Sequence, residues 1–122
     1  MGKPRILIVD DEPGLVRLLS LMLKTRYEIR TEVDPTRALE AAVKFRPHLV
    51  VLDLIMPKIP GQEVAQQIRA DSRIGGTPIL FLSAVISTRE TPLEVAGCPA
   101  IAKPIGLHEL VEAIEGRLCE TA

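Results

Sequence analysis

The chain has 122 residues, 47% of them hydrophobic and 25% charged, with a formal net charge of −1. Those figures fit one globular domain and exclude a disordered chain, and a near-neutral balance without basic runs gives no reason to expect a membrane surface or direct nucleic acid as a partner. The longest apolar runs fall far short of the about 18 residues that span a bilayer, no signal peptide is expected before the first strand, and Cys98 and Cys119 lack metal-ligand spacing, so reduced thiols in a cytoplasmic protein are expected.

Arg5 to Val9 reads as the first strand, a buried apolar run ending on Asp10-Asp11-Glu12. Pro13 fits the first turn of a helix, where a missing N–H costs nothing. Leu15, Leu18, Leu19, Met22 and Leu23 then form one apolar stripe. Tyr27 to Val33 carries more polar residues and reads as a strand nearer the sheet edge. Asp34-Pro35 signals a helix start, and Ala38, Ala41, Ala42 and Phe45 on one face would let that helix lie close to a sheet.

Leu49 to Leu52 is the third strand, ending on Asp53. Two prolines exclude regular helix from Met56 to Gly61. A third helix follows with Val64 and Ile68 inward, and it ends by Gly75-Gly76. Pro78 to Leu82 is the fourth strand, ending on Ser83. A fourth helix is expected between Val85 and Gly97, short or irregular because Pro92 interrupts it. Ala100 to Ala102 is a short fifth strand ending on Lys103, and Leu107, Leu110, Val111, Ile114 and Leu118 mark a strongly periodic last helix. Strands alternating with helices at this spacing predict an α/β fold: a doubly wound (βα)5 unit with a five-stranded parallel sheet.

The four strand ends carry the chemistry. In an open parallel sheet, ligands bind in the crevice beyond the carboxyl ends of the strands. Parallel neighbours would therefore bring three carboxylates, a hydroxyl and an ammonium into one pocket. Concentrated carboxylates suit a hard cation, and magnesium typically takes one or two of them plus a phosphate. Asp11 or Glu12 could instead cap the following helix, Asp53 could bond its own turn, and Ser83 could satisfy nearby backbone. Asp53 also reads as a nucleophile, since carboxylates form acyl phosphates. Lys103 after an apolar strand needs a carboxylate or phosphate partner. His48 and His108 read as surface residues outside the pocket.

Taken together, Ile-Val-Asp10-Asp11-Glu12-Pro, Val-Val-Leu-Asp53-Leu-Ile-Met-Pro57, Gly61, Leu-Ser83-Ala84 and Lys103-Pro104 resemble the receiver domain of two-component response regulators over the whole chain, as a single domain of residues 1–122. The resemblance implies a flavodoxin-like strand order, 2-1-3-4-5. It implies that Asp53 accepts a phosphoryl group from a phosphohistidine on a sensor histidine kinase or histidine phosphotransfer protein. Asp11 would bind Mg2+ directly and Asp10 through water, with Asp53 and the Ile55 backbone carbonyl completing the protein ligands. Ser83 would bond a phosphoryl oxygen, Lys103 would pair with Asp53 and then with the phosphate, and backbone N–H groups near Leu54 and Ala84 would add donors. Such a protein is a signalling phosphoacceptor that assists its own phosphotransfer and dephosphorylation, rather than an enzyme, and it acts on an output partner or domain without contacting nucleic acid or membrane itself.

One position departs from the family pattern. An aromatic residue is usual three places before the lysine, and here Ala100 stands there. An atypical or weaker response through the usual output face is expected. The intact set of five pocket residues disfavours the alternative, a receiver-fold interaction module whose output does not depend on phosphorylation. An aspartate-nucleophile phosphatase would need a second aspartate where Ile55 stands, and a dinucleotide site would need a glycine-rich turn where Asp11-Glu12-Pro13-Gly14 stands.

Overall fold

Strands that are apolar on both sides must be covered on both sides, and the helices of this chain do so in pairs. The computed structural model describes residues 2–83, 94–95, 98–102 and 106–120. In chain order the elements are β1 (Arg5–Val9), α1 (Pro13–Leu23), β2 (Glu28–Glu32), a 3-10 turn (Pro35–Arg37), α2 (Ala38–Phe45), β3 (Leu49–Asp53), α3 (Gly61–Ala70), β4 (Ile79–Ser83), β5 (Glu94–Val95), β6 (Cys98–Ala102) and α4 (Leu107–Glu120). The strands lie in the order β2-β1-β3-β4-β6-β5. β2, β1, β3, β4 and β6 run parallel, which is the 2-1-3-4-5 order of a flavodoxin-like sheet when the parallel strands alone are counted.

The alternation along each strand sorts the core into two layers. Leu7, Val9, Val50, Leu52, Ile79 and Phe81 point to one face, against Ala38, Ala41 and Ala42 of α2 and Val64, Ala65 and Ile68 of α3. Ile6, Ile8, Leu49, Val51, Leu80 and Leu82 point to the other, against Val16, Leu19 and Leu23 of α1 and Leu110 and Ile114 of α4. β2, with the sequence EIRTE, is the half-exposed edge strand that its polarity predicts.

Several details differ from the sequence expectation, among them Leu18, which is exposed and not on the buried stripe of α1. Asp34 caps not an α-helix but the 3-10 turn, its carboxylate accepting from the Thr36 backbone N–H at 3.0 Å; α2 begins only at Ala38. The last parallel strand starts at Cys98 rather than Ala100. The helix expected between 85 and 97 lies outside the described residues except at Glu94–Val95, which are extended and pair antiparallel with Pro99 and Cys98. In sequence, Pro92 and Gly97 flank that pair, both poor helix residues, and β-branched Val95 favours strand. Four α-helices are thus described. None of the described helices is long and apolar enough to cross a membrane.

At the amino ends of the strands, far from the carboxyl rim, exposed His48 is bonded to Arg5, the residue that ties β1 to the end of α2. Its Nδ1 accepts the Arg5 backbone N–H at 2.8 Å, while the Arg5 guanidinium donates to the carbonyls of Phe45 and Arg46. Exposed His108 lies 3.5 Å from Glu112, one turn on in α4.

Tyr27, just before β2, is 3% exposed, and its hydroxyl has no hydrogen-bond partner among the described residues. Burial pushes its phenol above the ordinary value, and the nearby Glu115 carboxylate adds to the rise. A buried, unsatisfied hydroxyl detracts from stability. Replacing Tyr27 by Phe is therefore expected to change the urea-unfolding free energy by no more than about 1 kcal/mol.

Candidate functional site

Parallel strands put all their carboxyl ends on one rim, and the crevice opens where the strand order reverses, here at β1. Val9 of β1 is in register with Leu52 of β3, so Asp10 and Asp53, each the next residue, emerge side by side. Both stay buried, Asp10 at 1% and Asp53 at 4% exposure, and Asp11 is partly buried. One carboxylate oxygen from each of Asp10, Asp11 and Asp53 lies within 4.8 Å of the other two. At that separation each pair of full charges repels by at least about 3 kcal/mol for an effective dielectric near 20. The cluster is therefore built for a positive charge, and its all-oxygen donors suit a hard divalent cation.

Asp10 is anchored on both sides. The Asp10 N–H donates to the Glu32 carbonyl at the end of β2 (3.2 Å), and the Asp10 carboxylate accepts the Glu12 N–H (3.1 Å). Glu12 occupies the position before α1, but its side chain makes no capping bond; Pro13 opens the helix instead. Glu12 thus holds the N-cap position of α1 without a side-chain capping bond.

Beyond Asp53 the chain makes a closed loop. Leu54 N–H donates to the Leu82 carbonyl and Gly61 N–H returns to the Leu54 carbonyl, both at 2.8 Å. A Cβ on Gly61 would abut the Asp53 carbonyl oxygen and come within 2.8 Å of Leu54 Cα, so only glycine fits. Ile55 lies in this loop with its side chain 58% exposed. The Leu54 N–H on the Leu82 carbonyl belongs to the β3–β4 ladder, where Asp53 pairs with Leu82.

Ser83 ends β4 beside β3, its backbone in register with Ala102 of β6. Its side chain, Ala84, and Lys103 with Pro104 lie outside the described residues; in sequence Lys103 directly follows Ala102. Sequence reasoning missed Lys58. Its backbone is left-handed, with φ 71°, and its ammonium lies 3.9 Å from the Asp34 carboxylate. Bonds from the Thr36 hydroxyl and N–H hold the Asp34 carboxyl below its ordinary value. A lysine between two prolines was the one visible signal.

Residues 6–115 match the family described as the response regulator receiver domain. The DNA-binding dual master transcriptional regulator RpaA of Synechocystis sp. is 32% identical over 121 residues, covering 97% of this chain and 50% of that protein. The DNA-binding response regulator MtrA of Mycolicibacterium smegmatis is 36% identical over 119 residues, covering 95% and 51%. The chain spans about half the length of these curated relatives. Among solved structures, the receiver domain of sensor histidine kinase PA1611 from Pseudomonas aeruginosa, with a magnesium ion coordinated in its active site cleft, superposes with a TM-score of 0.82 at 26% identity, covering 97% of this chain and 99% of that one.

The names of these relatives overturn the expectation of no direct nucleic acid. Net charge reports the field of the segment it is summed over, and this segment matches only half of proteins that are named for binding DNA.

Gly61→Ala forces a methyl group against the Asp53 and Leu54 backbone. Unfolding free energy from urea denaturation is expected to fall by about 1–3 kcal/mol, the usual range for overpacking a tight contact.

Proposed function

The chain belongs to the response regulator receiver domain family, and on that footing we propose that it is a phosphoacceptor switch in which Asp53 takes a phosphoryl group from a phosphohistidine on a sensor kinase or phosphotransfer protein. The observation that carries this reading is the gathering of Asp10, Asp11 and Asp53 within 4.8 Å at the rim where β1 and β3 end, two of them almost wholly buried. Asp10, Asp11, Asp53 and the Ile55 carbonyl would hold Mg2+, whose donor preferences this all-oxygen set meets. Bound there, the ion would neutralise charge on the phosphoryl oxygens.

The residues of the chain divide the remaining work. An Asp53 carboxylate oxygen forms the new bond to phosphorus, the phosphorus–nitrogen bond to the donor imidazole breaks, and the imidazole leaves with the electron pair. Phosphoryl transfer asks the protein chiefly for alignment and charge neutralisation. β3 and the Gly61 contact supply alignment by fixing where Asp53 leaves the sheet. Lys103 supplies a second cation, and the Ser83 hydroxyl donates to a phosphoryl oxygen once it arrives.

A phosphoryl group adds about −1.5 to −2 charges and strong acceptors. Contacts that Ser83 and Lys103 make only in the modified state bias a two-state equilibrium. In this reading residues 1–122 are one receiver unit acting in the cytoplasm. It assists its own phosphorylation and dephosphorylation, and it governs a DNA-binding transcriptional response like the one for which RpaA and MtrA are named.

Incubation with acetyl phosphate and Mg2+ followed by intact mass measurement tests the proposal. Wild-type protein is expected to gain a single phosphoryl group, and Asp53→Ala or excess chelator to abolish the gain. No added mass in the wild type, or equal labelling of Asp53→Ala, would favour a receiver-fold interaction module that signals without phosphate.

A further inference from the structure

The loop after Asp53 contains a turn that its own sequence disfavours. Ile59 N–H donates to the Pro57 carbonyl at 2.8 Å, closing a three-residue turn on Lys58, whose φ is 71°. A γ-turn with its central φ near about +75° is the rare, strained hand, and lysine gains nothing there that glycine would not supply better. Such strain persists only where surrounding structure enforces it. Pro57 and Pro60 limit the loop's backbone on either side, but neither acts on Lys58 itself.

The side chain of Lys58 makes the missing connection. Its ammonium lies 3.9 Å from Asp34, on the loop that follows β2. Asp34 is itself held: its carboxylate accepts from the Thr36 N–H at 3.0 Å and hydroxyl at 2.7 Å, and its own N–H donates to the Glu32 carboxylate at 3.0 Å. The Glu32 carbonyl in turn accepts the Asp10 N–H at 3.2 Å. A polar strap thus runs from Asp10 through Glu32 and Asp34 to Lys58, joining the β1 side of the carboxylate cluster to the loop that leaves Asp53.

We propose that Lys58 is a positioning residue, whose ion pair with Asp34 holds the β3–α3 loop in its strained turn and so sets that loop for the cation. The inference rests on the metal reading given above and adds a residue to it. The pair is mostly in water, with side-chain exposures of 63% and 33%, so it contributes little to global stability. Its effect falls on loop geometry.

The sign of the effect separates positioning from plain electrostatics. If Lys58 acted only as a nearby positive charge, removing it would tighten cation binding to an acidic cluster. As a tether, removing it loosens the loop and weakens binding.

The test is an amide-shift titration of the full 15N-labelled chain with Mg2+ alone, for wild type, Lys58→Met and Lys58→Arg, with amide hydrogen exchange of metal-free protein alongside. Lys58→Met keeps the stem and backbone strain but loses the charge; it is expected to raise the Mg2+ dissociation constant about two- to fivefold, the range an exposed pair can supply. Lys58→Arg is expected to stay within about twofold of wild type, because the cation is retained. Exchange at Ile59 should quicken in Lys58→Met alone, with melting temperatures within about 3 °C of one another. Equal or tighter Mg2+ binding by Lys58→Met, or unchanged exchange at Ile59, overturns the tether. Absence of any Mg2+ response in wild type overturns the metal reading instead.

Discussion

Like charges held together at the ends of two buried strands are the constraint around which this molecule is arranged. Asp10 follows β1 and Asp53 closes β3, the strands on either side of the reversal in strand order, and the register of Val9 with Leu52 sets them side by side. Both are held out of solvent, Asp10 at 1% and Asp53 at 4% exposure. The repulsion among the three carboxylates is thus fixed by the two apolar layers. A group that binds there and brings positive charge stabilises the folded chain in proportion to how far its concentration exceeds its dissociation constant. The placement of the three carboxylates is in this sense a property of the whole sheet.

Around that cluster the backbone does most of the orienting. The Glu32 carbonyl fixes Asp10, the Leu82 carbonyl takes the Leu54 N–H, and Gly61 closes the loop on Asp53 from the other side. These contacts explain why a loop with two prolines and a left-handed lysine can serve a site that needs precise placement. The loop is not regular, but its ends are pinned to strands that cannot move without opening both core layers. Strain at Lys58 is sustained by those fixed ends and by the partner across the crevice.

The features that could be read from sequence were those set by local pattern. Apolar runs located β1, β3 and β4 because burial on both faces forbids polar interruption, and the residue closing each run was the residue that reached the rim. Asp10, Asp11 and Asp53 were legible for that reason. What escaped depended on partners distant in the chain. The two-residue β5 exists only through pairing with β6, the 3-10 turn after Asp34 competes closely with a helix start, and the turn at Lys58 is a φ value with no composition signal beyond its flanking prolines. Reading partners from net charge failed because charge belongs to the stretch over which it is counted.

Ala100 shows how the same packing bears on signalling. It lies in register with Phe81 on the neighbouring strand and is buried with Cys98 in the layer beneath α2 and α3. A small residue there lies beside the large Phe81 in the same layer. An alanine has no χ angle and therefore no rotamer to exchange between states. In the switch proposed above, position 100 therefore offers no aromatic side chain to turn inward when Asp53 is modified.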